Sequence, residues 1–154
     1  LFLAAIERYL DVVVEENVRR LLAMEPAGEA VRRFFLGLVE APAARLRRGC
    51  LLTNSAVELG EADARVAALV RRAYERVEHA LHERLSEAAA AGQLAEGVEP
   101  VALARLLVTV LQGIRVMSRV GVNRAAMRDA VGSALACIRT GSRAVRNAGR
   151  RAVA

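Results

Sequence analysis

The side chains best suited to bind a metal ion lie on one long helical segment. His79 and His82 are three positions apart, with Glu75, Glu78 and Glu83 close to them in the sequence. Imidazole and carboxylate groups are common zinc ligands, but a zinc site needs further ligands that converge on the ion. These residues share the helix face opposite its apolar stripe, where charged side chains are usually solvated. We therefore predict no metal site.

Residue patterns that would support catalysis are missing from the sequence. It contains no Gly-rich phosphate loop, no nucleophile elbow and no zinc-protease helix. Cys50 and His79 could form a nucleophilic pair only if the faces of their helices were ignored. Two cysteines, Cys50 and Cys137, are also too few for a disulfide framework. We predict no catalytic residue and no cofactor, and we expect that the chain is not an enzyme.

A ligand-binding role is one of two interpretations of Cys50 and Asn54. Cys50, Asn54 and Glu58 follow one another at four-residue spacing in the segment GCLLTNSAVELG. In the first interpretation, Cys50 and Asn54 lie on a pocket wall, and Asn54 forms a hydrogen bond with a ligand. In the second, the segment is a small polar helix in which Asn54 only satisfies backbone groups.

Helices must position these side chains, because apolar residues recur at helical spacing almost everywhere and no stretch alternates as a strand would. Asp63 and Asn123 are predicted to cap helices, and Pro100 to begin one. Gly92 and Gly121 are predicted to end helices. The sequence thus predicts an all-α bundle of about six helices, over residues 1–24, 29–40, 49–60, 63–91, 100–120 and 123–139.

The last two predicted helices are apolar over unusually wide faces. Such helices must be covered on two sides, and the small residues Gly113, Ala130 and Ala134 permit close approach. We predict an isologous homodimer in which these helices form a four-helix bundle. The predicted interface residues are Leu103, Leu107, Val110, Ile114 and Met117 on the first helix, and Met127, Val131, Ala134 and Ile138 on the second.

Composition indicates one compact domain that buries apolar surface beyond an ordinary core. The chain has 154 residues, of which 55% are apolar and 26% charged, and its mean hydropathy is +0.26. That hydropathy is high for a soluble monomer, so a partner subunit or a ligand cavity is expected. Aromatic residues make up only 3%, which argues against single-stranded nucleic-acid binding by base stacking.

Positive charge is concentrated at the C-terminal end. Five arginines and no acid follow Ile138, although the net charge of the whole chain is only +6. We therefore divide the chain into a folded domain, residues 1–139, and a basic, flexible tail, residues 140–154.

Nothing in the sequence predicts a membrane protein or a secreted one. The longest uncharged stretches, residues 106–114 and 130–138, are about half as long as a bilayer requires. Glu7 and Arg8 interrupt the first apolar run, so it does not resemble a secretory signal. We expect a cytoplasmic protein. Because the opening LFL enters a helical pattern without a cap, we also expect that an N-terminal part is missing.

Three segments, in order, resemble parts of a known family. They are GCLLTNSAVELG, the end of the long helix AAAAGQL, and EPVALARLLVTVLQGIRVMSRVG. Together they resemble the C-terminal regulatory domain of the TetR/AcrR family of bacterial transcriptional regulators. The opening LFLAAIERYL resembles the helix that follows the helix-turn-helix domain of that family. The resemblance covers residues 1–139, and the helix-turn-helix itself is absent.

The resemblance implies an all-α domain that dimerises through its last two helices and holds a small molecule between its helices. We therefore predict the effector-sensing and dimerisation domain of a TetR-like regulator, a repressor that a small molecule releases from DNA. Residues 1–24 would couple the ligand to the DNA-binding part. Operator DNA would be contacted only through the missing helix-turn-helix. The alternative is a helical protein–protein interaction module without a physiological ligand, which a fully packed interior would favour.

The predicted ligand is small, mainly apolar, and uncharged or weakly polar. No charged side chain clearly belongs to the inner apolar stripes, and burial of an unpaired ion is costly. Arg115 is the exception to consider, because a modest rotation of its helix could direct it inward, toward a carboxylate. The predicted pocket residues are Phe2, Ile6, Cys50, Asn54, Tyr74, Val77, Leu81, Gln112 and Val116.

Overall fold

The computed structural model describes residues 1–139, most of which are helical. Among them, the only β-type pairing is an isolated bridge between Leu94 and Ile138. The predicted all-α bundle is confirmed, and the tail predicted over residues 140–154 lies outside the described residues. The elements are α1 (Phe2–Tyr9), a π-helical segment (Leu10–Val14), α2 (Glu15–Ala23), α3 (Ala27–Val39), α4 (Ala43–Arg48), α5 (Leu51–Leu59), α6 (Ala64–Ala90), α7 (Pro100–Arg119) and α8 (Arg124–Leu135).

Helices α1 and α2 and the π-helical segment between them form one continuous helix, which we call the rod (residues 2–23). It is continuous because the residues at both junctions keep right-handed helical dihedral angles. The rod ends at Met24, whose ψ of 136° is extended, two residues before Pro26. This agrees with the helix predicted over residues 1–24, but the π-helical segment was not predicted.

Helix α6 is the centre of the bundle and packs against the rod, α3, α5 and α7. Burial of each large apolar side chain on such a face contributes roughly 1.5–3 kcal/mol to folding. The apolar residues of its buried face are Val66, Val70, Ala73, Ala80, Leu81, Leu85 and Ala88.

The predicted caps and the predicted stop of α6 are present. The Asp63 carboxylate accepts a hydrogen bond from the Arg65 backbone N–H (2.9 Å), and the Asn123 side chain accepts one from the Ala125 N–H (2.8 Å). Each bond satisfies one of the backbone donors that a helix leaves free at its start. Gly92 follows α6 with a φ of +70°, a left-handed conformation that glycine adopts without strain.

Helix α8 ends at Leu135 rather than at residue 139, which corrects the predicted boundary. The reason is that the following backbone pairs with the loop after α6. The Ala95 N–H donates to the Cys137 carbonyl (2.9 Å), and the Arg139 N–H donates to the Gln93 carbonyl (2.7 Å). These bonds satisfy polar backbone groups that a longer helix would have used internally.

Most of the predicted dimer interface lies in the chain's own core. Six of the predicted interface residues are buried within one chain, so they offer a partner little surface, and the interface stays a prediction: Leu103, Leu107, Ile114, Met127, Val131 and Ile138. The three residues on α7 are buried where that helix packs against α6. The two residues on α8 are buried where that helix packs against α3 and α7. Val110 and Ala134 are half-buried, and Met117 is exposed.

A second apolar face of α7 points outward. We call it the outer α7 face, and its side chains are between 40% and 77% exposed: Leu106, Val116, Met117 and Val120. By length and composition alone α7 could also cross a membrane, with a mean hydropathy of 1.5 over its most apolar 18 residues. A core helix of a soluble protein meets the same criterion, so this property does not distinguish the two.

Candidate functional site

A cavity of about 290 Å³ lies between the rod, α3, α4 and the second half of α7. This is close to the lower limit of roughly 300–1,000 Å³ for small-molecule sites. We call it the larger cavity, and its lining residues are Tyr9, Val13, Asn17 and Arg20 from the rod, Phe34, Gly37, Leu38 and Ala41 from α3 and the turn after it, Arg45, Leu46 and Gly49 around α4, and Ile114, Arg115 and Ser118 from α7.

A second space of about 40 Å³ adjoins the first along the rod. It can hold a water-sized group but not a ligand by itself. The two cavities share Tyr9, Val13, Asn17, Phe34 and Arg115. The further lining residues of the smaller cavity are largely apolar: Val14, Val18, Leu21, Leu52, Ala73, Tyr74, Val77, Leu111 and Gln112.

The π-helical segment contributes two adjacent residues to the smaller cavity. Val13 and Val14 both lie in the segment, and both line the smaller cavity. A regular α-helix turns successive side chains about 100° apart, whereas a π-helical turn accommodates an extra residue and occurs frequently at functional sites.

Arg115 is the charged residue at the junction of the two cavities. It is half-buried and lines both. Within residues 1–139 its guanidinium has no carboxylate within ion-pair distance and no hydrogen-bond partner. Its guanidinium therefore stays available to a group that enters the cavity.

Tyr9 and Cys50 contact each other at this wall, with the phenol oxygen 3.6 Å from the Cys50 Sγ. Burial, with the neighbouring Cys50 adding to it, raises the pKa of Tyr9 to about 12. Burial also raises the pKa of the Cys50 thiol, but the Arg115 charge and hydrogen bonds with Thr53 and Tyr9 outweigh it, so the net pKa is lowered. The pKa values of Tyr9 and Cys50 thus depend on burial and on side chains at or next to the cavity wall.

Two amide side chains at the cavity have unused hydrogen-bonding capacity. Thr53 Oγ1 donates to Gln112 Oε1 at 2.7 Å, and Asn17 Nδ2 donates to the Val13 carbonyl at 2.8 Å. Within the described part of the chain, the Gln112 NH₂ group and the Asn17 Oδ1 have no partner. They can therefore donate to and accept from a ligand.

The structure brings together some of the predicted pocket residues. Tyr74, Val77 and Gln112 line the smaller cavity, and Cys50 contacts the lining residue Tyr9. Asn54 is half-buried but is not a lining residue, so its predicted role as ligand donor has no support in the geometry.

The other predicted pocket residues lie away from the cavities. Ile6 and Leu81 are fully buried in the core and line neither cavity. Phe2 and Val116 are 44% and 47% exposed on the surface. They were predicted to lie inside because they are apolar. In the structure Phe2 lies in the first turn of the rod, and Val116 lies on the outer α7 face.

Sequence reasoning missed most of the rod's contribution. Tyr9 and Val13 continue an apolar stripe that Phe2 and Ile6 begin at helical spacing, and Asn17 follows four residues after Val13. A polar amide on an otherwise apolar stripe is the signal that could have located the cavity. Phe34 carries no comparable signal, because its sequence context is that of an ordinary core residue.

Metal chemistry has no support in the described part of the chain, where no group of three or more His, Cys, Asp or Glu side chains could hold an ion. His79 is exposed and His82 half-buried on α6.

Comparison with known proteins gives one match. A family model described as the tetracycline repressor-like C-terminal domain matches residues 29–134, which is more than half of the chain. No curated protein and no solved structure matches. The matched region contains α4 to α7 and nearly all of α3 and α8, and with them the α3, α4 and α7 walls of the larger cavity. The chain therefore belongs to the tetracycline repressor-like C-terminal domains, which are the regulatory, ligand-binding and dimerisation domains of TetR-family regulators.

Proposed function

We propose that this domain serves a TetR-like repressor in the cytoplasm, and that a small effector bound in the larger cavity releases the repressor from its operator. The observation that carries the proposal is the position of the cavity, between the rod and α7. A helical interaction module without a ligand would need no such space, and a cavity of about 290 Å³ favours effector binding over it.

The rod is the element that would transmit effector binding. It contributes Tyr9, Val13 and Asn17 to the cavity wall, so an effector contacts it directly. A ligand shifts an equilibrium only through different affinities for the two states. A change in the rod's position, or in its π-helical segment, would alter the wall and thus the affinity. A helix-turn-helix joined to the start of the rod would move with it, and operator DNA would be contacted there.

The outer α7 face supports the dimerisation half of the proposal. Its four exposed apolar side chains form a surface that a monomer would leave in water at a cost. Gly113 lies on the same helix and, lacking a side chain, permits a close approach of two copies. A twofold contact through this face would bury it in both subunits.

The effector part is tested by blocking the cavity. Gly37 lines the larger cavity, and an added Cβ there would meet nothing within 4 Å. Gly37→Trp should therefore fill the space without displacing the backbone, whereas Gly37→Ala adds only a methyl group. Compounds that raise the thermal unfolding temperature of the wild type should still do so with Gly37→Ala, and should lose the effect with Gly37→Trp.

Hydrogen exchange gives the second measurement. A bound compound should slow amide exchange in residues 9–20 of the rod, because the rod forms one wall of the cavity. The effector proposal fails if no compound stabilises the wild type, or if stabilising compounds bind Gly37→Trp equally well and leave exchange in the rod unchanged.

A further inference from the structure

The two cavities carry positive charge and no negative charge among the described residues that line them. Arg20, Arg45 and Arg115 line the larger cavity, and Arg115 also lines the smaller one. No Asp or Glu is present in either lining. An unpaired positive charge beside a partly enclosed space attracts an anion, because solvent screens it less than at the surface.

Arg115 is the one of these three that lacks a partner and is partly buried. Arg20 is exposed and its Nε lies 2.7 Å from Glu16 Oε1. Arg45 is exposed at the cavity edge on α4. The charge that an entering molecule would meet between the rod and α7 is therefore that of Arg115.

The rest of the bundle shows that an unpaired, partly buried arginine is exceptional here. Arg84 is only 3% exposed and pairs with Glu25 and Glu87, and Arg76 bonds Glu15 at 2.8 Å. The remaining two partly buried arginines of residues 1–139, at positions 32 and 124, donate to backbone carbonyls. Burial of a guanidinium without a partner costs free energy, and a bound anion would remove that cost at Arg115.

The surroundings of Arg115 favour a carboxylate with an apolar body. Val13, Phe34 and Leu38 offer apolar surface in the larger cavity, and Gln112 lines the smaller one together with Arg115. A planar guanidinium binds a carboxylate through two parallel hydrogen bonds. We propose that the effector is a small organic carboxylate whose charged group binds Arg115 and whose apolar part packs against Val13 and Phe34.

This inference rests on the proposed effector function, and it replaces the uncharged ligand predicted from the sequence. The residue that decides between the two ligand classes is Arg115, because an uncharged ligand would leave its guanidinium unpaired in the cavity.

The test compares matched acids and amides on three proteins. Benzoate and hexanoate are titrated against benzamide and hexanamide by calorimetry, using the wild type, Arg115→Gln and Arg105→Gln. Arg105 is exposed on the same helix and pairs with Glu78 outside the cavity, so its replacement changes the net charge equally. We expect a carboxylate to bind the wild type and Arg105→Gln at least tenfold more tightly than its amide, and Arg115→Gln to lose this preference.

The outcomes separate the two proposals. If amides bind as tightly as acids, or if Arg115→Gln keeps the preference, the carboxylate inference is overturned while effector binding stands. If none of the four compounds binds the wild type, the carboxylate inference fails, and the broader compound screen with Gly37→Trp decides the effector proposal. Unliganded Arg115→Gln should unfold at a temperature equal to or above that of the wild type, which shows that lost binding is not lost folding.

Discussion

The chemistry of the cavity wall depends on three side chains that lie far apart in the sequence. Tyr9 comes from the rod, Cys50 from the start of α5 and Arg115 from α7. Burial raises the pKa of Tyr9 and of Cys50, and the Arg115 charge lowers both. The net pKa of Tyr9 is raised because Cys50 adds to the effect of burial, whereas the net pKa of Cys50 is lowered because hydrogen bonds with Thr53 and Tyr9 add to the effect of Arg115. From the sequence, Cys50 was a candidate pocket residue and the orientation of Arg115 was undetermined. The sequence could not show that the Arg115 charge acts on Cys50.

Tyr9 should make stability depend on pH in the alkaline range. Burial raises its pKa to about 12 from an ordinary value of 10.0, so the unfolded chain releases the phenol proton at a lower pH than the folded chain. Its contribution is fully present below about pH 10 and is lost as the pH rises toward 12. Two pKa units correspond to at most about 2.7 kcal/mol, and the chain contains no lysine to obscure the effect.

Urea unfolding at a series of pH values checks this. Tyr9→Phe should lose less stability than the wild type between about pH 10 and 12, while differing by about 1 kcal/mol near neutral pH through the lost contact with Cys50. Tyr74→Phe is the control, because burial also raises the pKa of that phenol, and these are the two tyrosines of the chain. An alkaline loss in Tyr9→Phe as large as in the wild type would contradict the assignment.

At the scale of elements, the turn between the rod and α3 is held to α6 by one buried side chain. Arg84 donates to the Met24 carbonyl and bonds Glu25 at 3.0 Å and Glu87. Both glutamates are largely exposed, whereas the guanidinium is buried. The arginine thus holds the C-terminal end of the rod, opposite to the end that would carry a DNA-binding domain. Movement of the rod would therefore be larger at its N-terminal end.

Removal of this anchor should be costly. Arg84→Ala should destabilise the fold by about 2–4 kcal/mol, because it leaves a cavity beside α6 and an unpaired Met24 carbonyl. Glu25→Ala should cost less than about 1 kcal/mol, since that carboxylate is exposed. Denaturant unfolding of both variants measures the difference. Equal and small losses would show that Arg84 does not hold the turn.

At the scale of the whole molecule, some apolar residues of α7 lie in the core and others lie on the surface. The inner face packs on α6, and the outer α7 face is left uncovered. The mean hydropathy of +0.26 therefore reflects two features at once, a cavity and an exposed apolar face. Composition predicted a partner subunit or a ligand cavity; the structure contains a cavity and an uncovered apolar face, and the partner subunit stays a prediction.

The outer α7 face should control the oligomeric state. Leu106→Glu and Met117→Glu each place a charge in the proposed seam, and an unpaired charge buried there would oppose association. Light scattering should detect a dimer for the wild type and monomers for both variants. Val57→Glu is the control, because Val57 is 77% exposed on α5, away from that face. A monomeric wild type, or variants that remain dimeric, would place the interface elsewhere.

The sequence by itself determined the helices and most of their ends. Periodic apolar residues, the caps at Asp63 and Asn123 and the stops at Gly92 and Gly121 depend on neighbours within a few positions, so they can be read locally. The order of three sequence segments also indicated the family, which the match over residues 29–134 confirmed.

Only the tertiary structure decided which face of each helix lies inside. Helix α7 has two apolar faces, and periodicity alone does not say which one meets α6, so Leu107 and Ile114 were assigned to a partner although they are core residues. The same uncertainty of rotation left Arg115 undetermined until the rod and α3 were in place around it. A cavity is a gap between elements that are distant in sequence, and its lining follows from their packing.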